Sequence, residues 1–235
     1  MENGTKLLKE EEEICDDTNM DKIENQQAFI LLKAVSLQYF SVQYGNILTI
    51  QKACEQIIRS SRIFTDKYNF LSTWDHEKQC FNYELSSLME LIQKIYWWWL
   101  FTYQECTEFG YFETFDMSFT DNVPLDFFYN VCKALFGVEF DEKRINEGIN
   151  RTNEMYGGQH PNVTKVVFVN GELDPWHKLS ILEDLSPDSP AKVIPFASHC
   201  QDLRADSPTD PKELKDARKY IKDLVKKWIK HDETS

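Results

Sequence analysis

Apolar residues recur at helical spacing from Gln27 to about Met155, and that recurrence stops at Gly157-Gly158. Before the break, AFILLKAVSLQYFSVQ (28–43), ILTIQKACEQIIRS (47–60) and ELSSLMELIQKIYWWWL (84–100) each read as an amphipathic helix. Turn signals fall at Tyr44-Gly45-Asn46, Asn122-Val123-Pro124 and Phe136-Gly137, and DFFYNVCKALFG (126–137) reads as a short helix stopped by its glycine. After the break, the β-branched run Lys165–Val169 lies between turn residues and predicts a buried strand. Residues 178–185 suit a short helix. AKVIPFA (191–197) suits a second strand, with Pro195 at its end or edge. Pro211–His231 is an amphipathic helix with Leu214, Ala217, Ile221, Leu224, Val225 and Trp228 on one face. The order strand, short helix, strand, long helix makes the tail α/β, but two strands do not form a stable parallel sheet alone.

Hydrophobic content of 42% and aromatic content of 14% support a packed core. The 26 basic and 39 acidic residues leave a net charge of −13, which argues against nucleic acid or an anionic membrane as partner. Residues 1–26 are a polar, acidic leader holding the run Lys9-Glu10-Glu11-Glu12-Glu13, which reads as a solvated segment. No apolar stretch approaches the roughly 20 residues that span a bilayer, and MENGTKLLKEEEE lacks the apolar run of a secretory signal. Other features point to an oxidising compartment. There are six cysteines (Cys15, Cys54, Cys80, Cys106, Cys132, Cys200) without metal-ligand spacing, and glycosylation sequons at Asn3, Asn150 and Asn162. Neither a metal nor a cofactor motif is present. Body and N-terminus disagree, so the natural start is expected to lie elsewhere.

Acids and bases of α/β enzymes sit where loops leave the carboxyl ends of strands. Asp174 follows the first predicted strand and His199 follows the second. An α/β-hydrolase triad runs nucleophile, acid, histidine, the last two on loops after late strands. The acid orients the imidazole, which takes the nucleophile's proton. Each residue alone has a plain alternative: Asp174 as a helix cap or turn former, His199 as a structural histidine. Their order at equivalent points of consecutive strands favours the catalytic reading.

Four segments carry a family resemblance. Asn170-Gly171-Glu172-Leu173-Asp174-Pro175-Trp176-His177-Lys178-Leu179-Ser180 resembles the acid loop of the family of prolyl carboxypeptidase, dipeptidyl peptidase II and thymus-specific serine protease. Ser198-His199-Cys200-Gln201-Asp202-Leu203 resembles its histidine loop. Tyr103-Gln104-Glu105-Cys106-Thr107-Glu108-Phe109-Gly110-Tyr111 resembles a motif of its helical insert, and Met155-Tyr156-Gly157-Gly158 the turn before the acid strand. Trp-His after Asp-Pro, Ser-His-Cys and Thr-Glu-Phe-Gly lean towards the thymus-specific branch. One departure is Phe101, where the family usually has a tryptophan shortly before Tyr-Gln.

The resemblance, over about residues 28–232, implies an α/β-hydrolase domain interrupted by a mostly helical cap. On it, 27–158 is the helical insert and 159–235 the C-terminal strands and helix of the hydrolase domain. It implies a serine exopeptidase of short peptides, with Asp174 and His199 as triad acid and base and no cofactor. The parent protein is then expected in the secretory pathway, lysosomal, endosomal or extracellular, and a homodimer stays open. The family suggests that Cys106 pairs with Cys132, while Cys54 and Cys80 seek partners further upstream. For Trp97-Trp98-Trp99 and Tyr103, core packing and substrate contact are the alternatives. None of the eight glycines is followed two positions later by serine, so no G-x-S-x-G elbow is present. The expectation is a C-terminal portion of such a peptidase, inactive alone. The alternative is a non-enzymatic module that binds peptides or proteins.

Overall fold

A computed structural model describes residues 6, 9, 14–59, 80–114 and 123–232 of the chain. The sequon at Asn3, residues 10–13 of the acidic leader and Asn122 of the second turn signal lie outside the described residues. The chain divides into two compact units, Met1–Ser36 with Ser60–Gly158, and Leu37–Arg59 with Gln159–Ser235.

The first unit is helical. Helix α1 spans Ile23–Leu37, α3 Leu85–Lys94, α4 Tyr96–Gln104, α5 Leu125–Phe136 and α6 Glu142–Tyr156. The single helix expected across 84–100 is two, broken at Ile95, whose extended backbone (φ −95°, ψ 96°) turns its own side chain into the interior. The core gathers Phe29 and Leu32 of α1, Leu88 and Ile92 of α3, and Phe127, Phe128 and Val131 of α5. Buried Asn25 joins distant segments: its amide donates to the Asn19 carbonyl (2.8 Å), and its side-chain oxygen accepts from the Leu85 N–H (2.9 Å). A fully buried amide is tolerated because both of its polar ends are satisfied.

Cys106 and Cys132 are joined, tying the π-helical turn Glu105–Phe109 to α5. Cys80 pairs with Cys15, inside this chain, beside a backbone bridge between Ile14 and Phe81. Cys54 and Cys200 are free. The aromatic run resolves into two roles. Trp99 packs on Phe136 (4.6 Å between ring centres) and Tyr103 on Phe136 and Phe140, whereas Trp97 lies half exposed with its ring stacked on Trp98.

Asp141 caps α6, its side chain accepting from the Arg144 N–H, and Gly157 ends that helix in the left-handed conformation. At the end of α5, Gly137 stops the helix as its place in the sequence predicts, but with φ 120° and an extended ψ of 159° rather than a left-handed cap.

The second unit carries the sheet. Strand β1 (Phe168–Gly171) pairs in parallel with β2 (Ala191–Ile194), Phe168 opposite Ala191 and Gly171 opposite Ile194. Strand β1 lies further along the chain than the apolar run Lys165–Val169 suggests. The helix expected at 178–185 is absent. A 3₁₀ turn, Pro175–Leu179, takes its place earlier, started by Asp174 as cap and Pro175 at its first position. Helix α7 (Lys212–Asp232) sets Leu214 and Ala217 against Ile194, Ala197 and Val169. Also in this unit are a π-helical turn, Gln38–Gln43, and helix α2, Ile47–Arg59. No described helix is long and apolar enough to cross a membrane.

Two carboxyls of the helical unit are mostly buried. Burial and then the charge of Glu113 hold Glu105 well above the usual carboxyl range, and burial pushes Glu113 up to about 7. Among the described residues, Glu113 Oε2 has no hydrogen-bonding partner. The folded state therefore binds protons that the unfolded chain releases, and stability falls as pH rises. The contribution is complete below about pH 4.5 and is lost as pH rises through about 7. Thermal unfolding is expected at a higher temperature near pH 5 than near pH 8, from a contribution on the order of 1 to 3 kcal/mol. Glu113→Gln should flatten that difference, and an unchanged slope would remove Glu113 as its source.

Candidate active site

Parallel pairing sends the carboxyl ends of β1 and β2 to the same side, so the loops that leave them are neighbours. They are bound together by backbone. The Glu172 N–H donates to the Ile194 carbonyl (3.0 Å) and the Leu173 N–H to the Ala197 carbonyl (2.9 Å). The Phe196 N–H in turn donates to the Glu172 carboxylate (2.9 Å). Gly171 permits the approach: a Cβ there would meet the Ala197 oxygen at 2.4 Å and the Ser198 oxygen at 2.7 Å. Phe196 and Cys200 both take positive φ (56° and 53°), so the second loop bends sharply on either side of Ala197-Ser198-His199.

Asp174 and His199 meet at this crossing. Asp174 is buried, 6% exposed, and its two carboxylate oxygens accept from different donors. Oδ1 takes the Trp176 N–H (3.0 Å), capping the 3₁₀ turn, and Oδ2 takes His199 Nδ1–H (2.8 Å). The cap role and the pairing role, alternatives in the sequence, are held by one side chain. With Nδ1 donating, Nε2 keeps its lone pair, and 28% exposure of the His199 side chain leaves the ring reachable. The imidazole is thus oriented, with Nε2 open to a partner. His177 Nδ1 bonds the main-chain oxygen of Asp174 (2.5 Å) and adds to the same turn.

Cys200, beside the histidine, is a free thiol. Partial burial and then the Asp202 and Asp174 carboxylates push its pKa up. A thiol shifted in that direction is a poor nucleophile, because the thiolate is the reactive form. The other nominated positions lie apart from this site in the sequence: Asn150 and Asn162 are both exposed, on α6 and on the segment before β1.

Two supports of the histidine loop have no signal in the sequence near it. The first is Gln43-Tyr44-Gly45. The His199 N–H donates to the Gln43 carbonyl (3.0 Å), the buried Ser198 hydroxyl to the Gly45 carbonyl (2.9 Å), and the Tyr44 ring stands edge-on to the imidazole at 5.9 Å and 85°. Tyr44-Gly45-Asn46 is legible as a turn, but nothing local in it indicates a contact some 150 residues away. The second is Arg218 of α7. Its guanidinium donates to the Gln201 carbonyl (2.7 Å) and the Asp202 carbonyl (3.0 Å) and pairs with Asp206 and Asp210. The Ser207 N–H and then Arg218 hold Asp210 below the usual carboxyl range. The planar fork of arginine suits two carbonyls and two carboxylates at once.

A family model described as serine carboxypeptidase S28 matches residues 2–221. Thymus-specific serine protease of Mus musculus is 39% identical over 135 residues, which is 56% of this chain and 26% of that protein. The Homo sapiens protein of the same name is 35% identical over 135 residues, with the same shares. Lysosomal Pro-X carboxypeptidase of Bos taurus is 38% identical over 76 residues, 32% of this chain and 15% of that protein. The chain spans about a quarter of the length of the curated relatives it matches first.

Gly171→Ala is expected to force the two loops apart and to destabilise the C-terminal unit by about 1–3 kcal/mol. Chemical denaturation monitored at α7 reads this as an earlier midpoint. An unchanged midpoint would mean that the loops give way without cost.

Proposed function

The chain belongs to the serine carboxypeptidase S28 family, and from that premise we propose that it supplies the acid and base of a serine peptidase, Asp174 and His199. The observation that carries this reading is the 2.8 Å bond from His199 Nδ1 to Asp174 Oδ2 at the coincident ends of two parallel strands. The proposed substrates are short peptides, cleaved at a chain end. Two disulfides support a protein that matures in an oxidising compartment, so the secretory pathway is the proposed location.

His199 Nε2 accepts the proton of a serine hydroxyl as its oxygen bonds to the scissile carbonyl carbon, and the carbonyl electron pair moves to oxygen. Asp174 holds the imidazole by Nδ1 and stabilises its positive charge. Collapse of the tetrahedral species breaks the carbon–nitrogen bond, and Nε2 returns the proton to the departing amine. Water then repeats the cycle against the acyl group, which restores the serine and releases the acid.

No glycine of this chain is followed two positions later by serine, so in this proposal the nucleophile comes from outside these 235 residues. The same observation favours the second reading, a module that binds peptides or a partner without turnover. One experiment separates them. The 235-residue chain is assayed on fluorogenic peptides, alone and joined to a family segment bearing G-x-S-x-G. Alone it is expected to give no turnover, and turnover that His199→Ala abolishes would overturn that expectation. In the joined protein Asp174→Asn should lower kcat by about 10⁴-fold with little change in peptide binding. Peptide binding without activity in both forms would favour the module.

A further inference from the structure

We propose that Tyr44 is a positioning residue for His199: its ring, carried on the turn 43–45, keeps the imidazole in the one orientation that bonds Asp174. The inference rests on the reading of Asp174 and His199 as a catalytic pair.

The hydrogen bond between the pair leaves one freedom unfixed. Rotation of a histidine ring about its last side-chain bond is broad and roughly two-fold, unlike the staggered wells of aliphatic torsions. A half-turn exchanges Nδ1 with a carbon and breaks the contact with Asp174. The single Nδ1–Oδ2 bond resists this, but the ring is 28% exposed by side chain and water competes for its nitrogens. A second contact on the ring is therefore needed to narrow the rotation, and Tyr44 makes one, edge-on at 5.9 Å and 85°.

Tyr44 is itself held firmly. Its N–H donates to the Tyr39 carbonyl (3.1 Å), closing the π-helical turn, and its ring packs on Tyr39 (4.6 Å between centres). Gly45 next to it has no room for a side chain, since a Cβ would meet the Ser41 oxygen at 2.1 Å and the Thr49 hydroxyl at 2.2 Å. The Thr49 hydroxyl also donates to the Ser41 carbonyl (2.8 Å), and Asn46 caps the start of α2 through the Leu48 N–H (2.9 Å). On the other side, the Gln43 and Gly45 carbonyls take the His199 N–H and the Ser198 hydroxyl. Backbone and ring of the histidine are thus gripped from one turn. Tyr44 remains 44% exposed, so burial in a core does not account for it.

The test uses the full chain labelled with ¹⁵N, read by long-range nitrogen–proton spectra of the His199 ring. Wild type and Tyr44→Phe should show one tautomer, protonated at Nδ1, with a strongly downfield Nδ1 proton. Tyr44→Ala and Tyr44→Leu should show a mixture of tautomers, with that proton exchanging roughly three- to tenfold faster, the range that an edge-on aromatic contact accounts for. Asp174→Asn is the control for the pair itself and should remove the downfield signal. A single tautomer and unchanged exchange in either folded Tyr44 variant would overturn the proposal while leaving the pair intact. Absence of the Nδ1 bond in wild type would instead overturn the pair, and the proposal with it. Ring-to-ring nuclear Overhauser contacts between Tyr44 and His199 in wild type are required whether or not the variants fold, and their absence is equally fatal.

Discussion

Gly171 lies so near the Ala197 and Ser198 carbonyls that any side chain would push the strands' exits apart, and on this approach depends the rest of the C-terminal unit. Once the backbones run that close, the Leu173 N–H reaches the Ala197 oxygen and the Glu172 carboxylate reaches the Phe196 N–H. Those bonds decide where the chain turns, and so where Asp174 and His199 point. Strand pairing over four residues is weak by itself. It is reinforced here by Ile194, Ala197, Leu214 and Ala217, which close over one face, and by Arg218, which fastens the far side of the histidine loop to α7.

Asp174 illustrates how a small polar side chain can serve two contacts at once. An aspartate before proline is a good start for a tight helical turn because its oxygen accepts a free N–H there. That leaves the second oxygen unused by the cap. In this fold the His199 imidazole reaches that oxygen, so the residue that starts the turn also orients the histidine ring through Nδ1.

Much of this was legible in the sequence where the determining forces are local. The apolar β-branched run predicts β1, although the strand extends to Gly171 because that glycine can pair where a larger residue would collide. AKVI and the amphipathic pattern of α7 place the other elements closely. The placement of Asp174 and His199 after consecutive strands is legible too. Other features depend on distant partners and leave no local trace. The break at Ile95 interrupts a continuous helical pattern because the interior takes that side chain. The turn at 175–179 supplants a helix at 178–185 because the cap at Asp174 starts it earlier. Gln43 and Tyr44 reach the histidine loop only through tertiary folding, and Cys80 finds its partner in Cys15 across 65 positions, which no spacing rule identifies.

The Cys15–Cys80 bond encloses within one covalent ring the whole stretch that carries Gln43, Tyr44 and Gly45. Each side of that stretch is therefore tethered twice over, by peptide and by sulfur. A protease that cuts the main chain once inside the ring does not divide the molecule: the fragments part only when the sulfurs are reduced. Nicked and intact protein would run alike until a reductant is added, and damage to the segment that grips the histidine would pass unseen in any purification that keeps the disulfides.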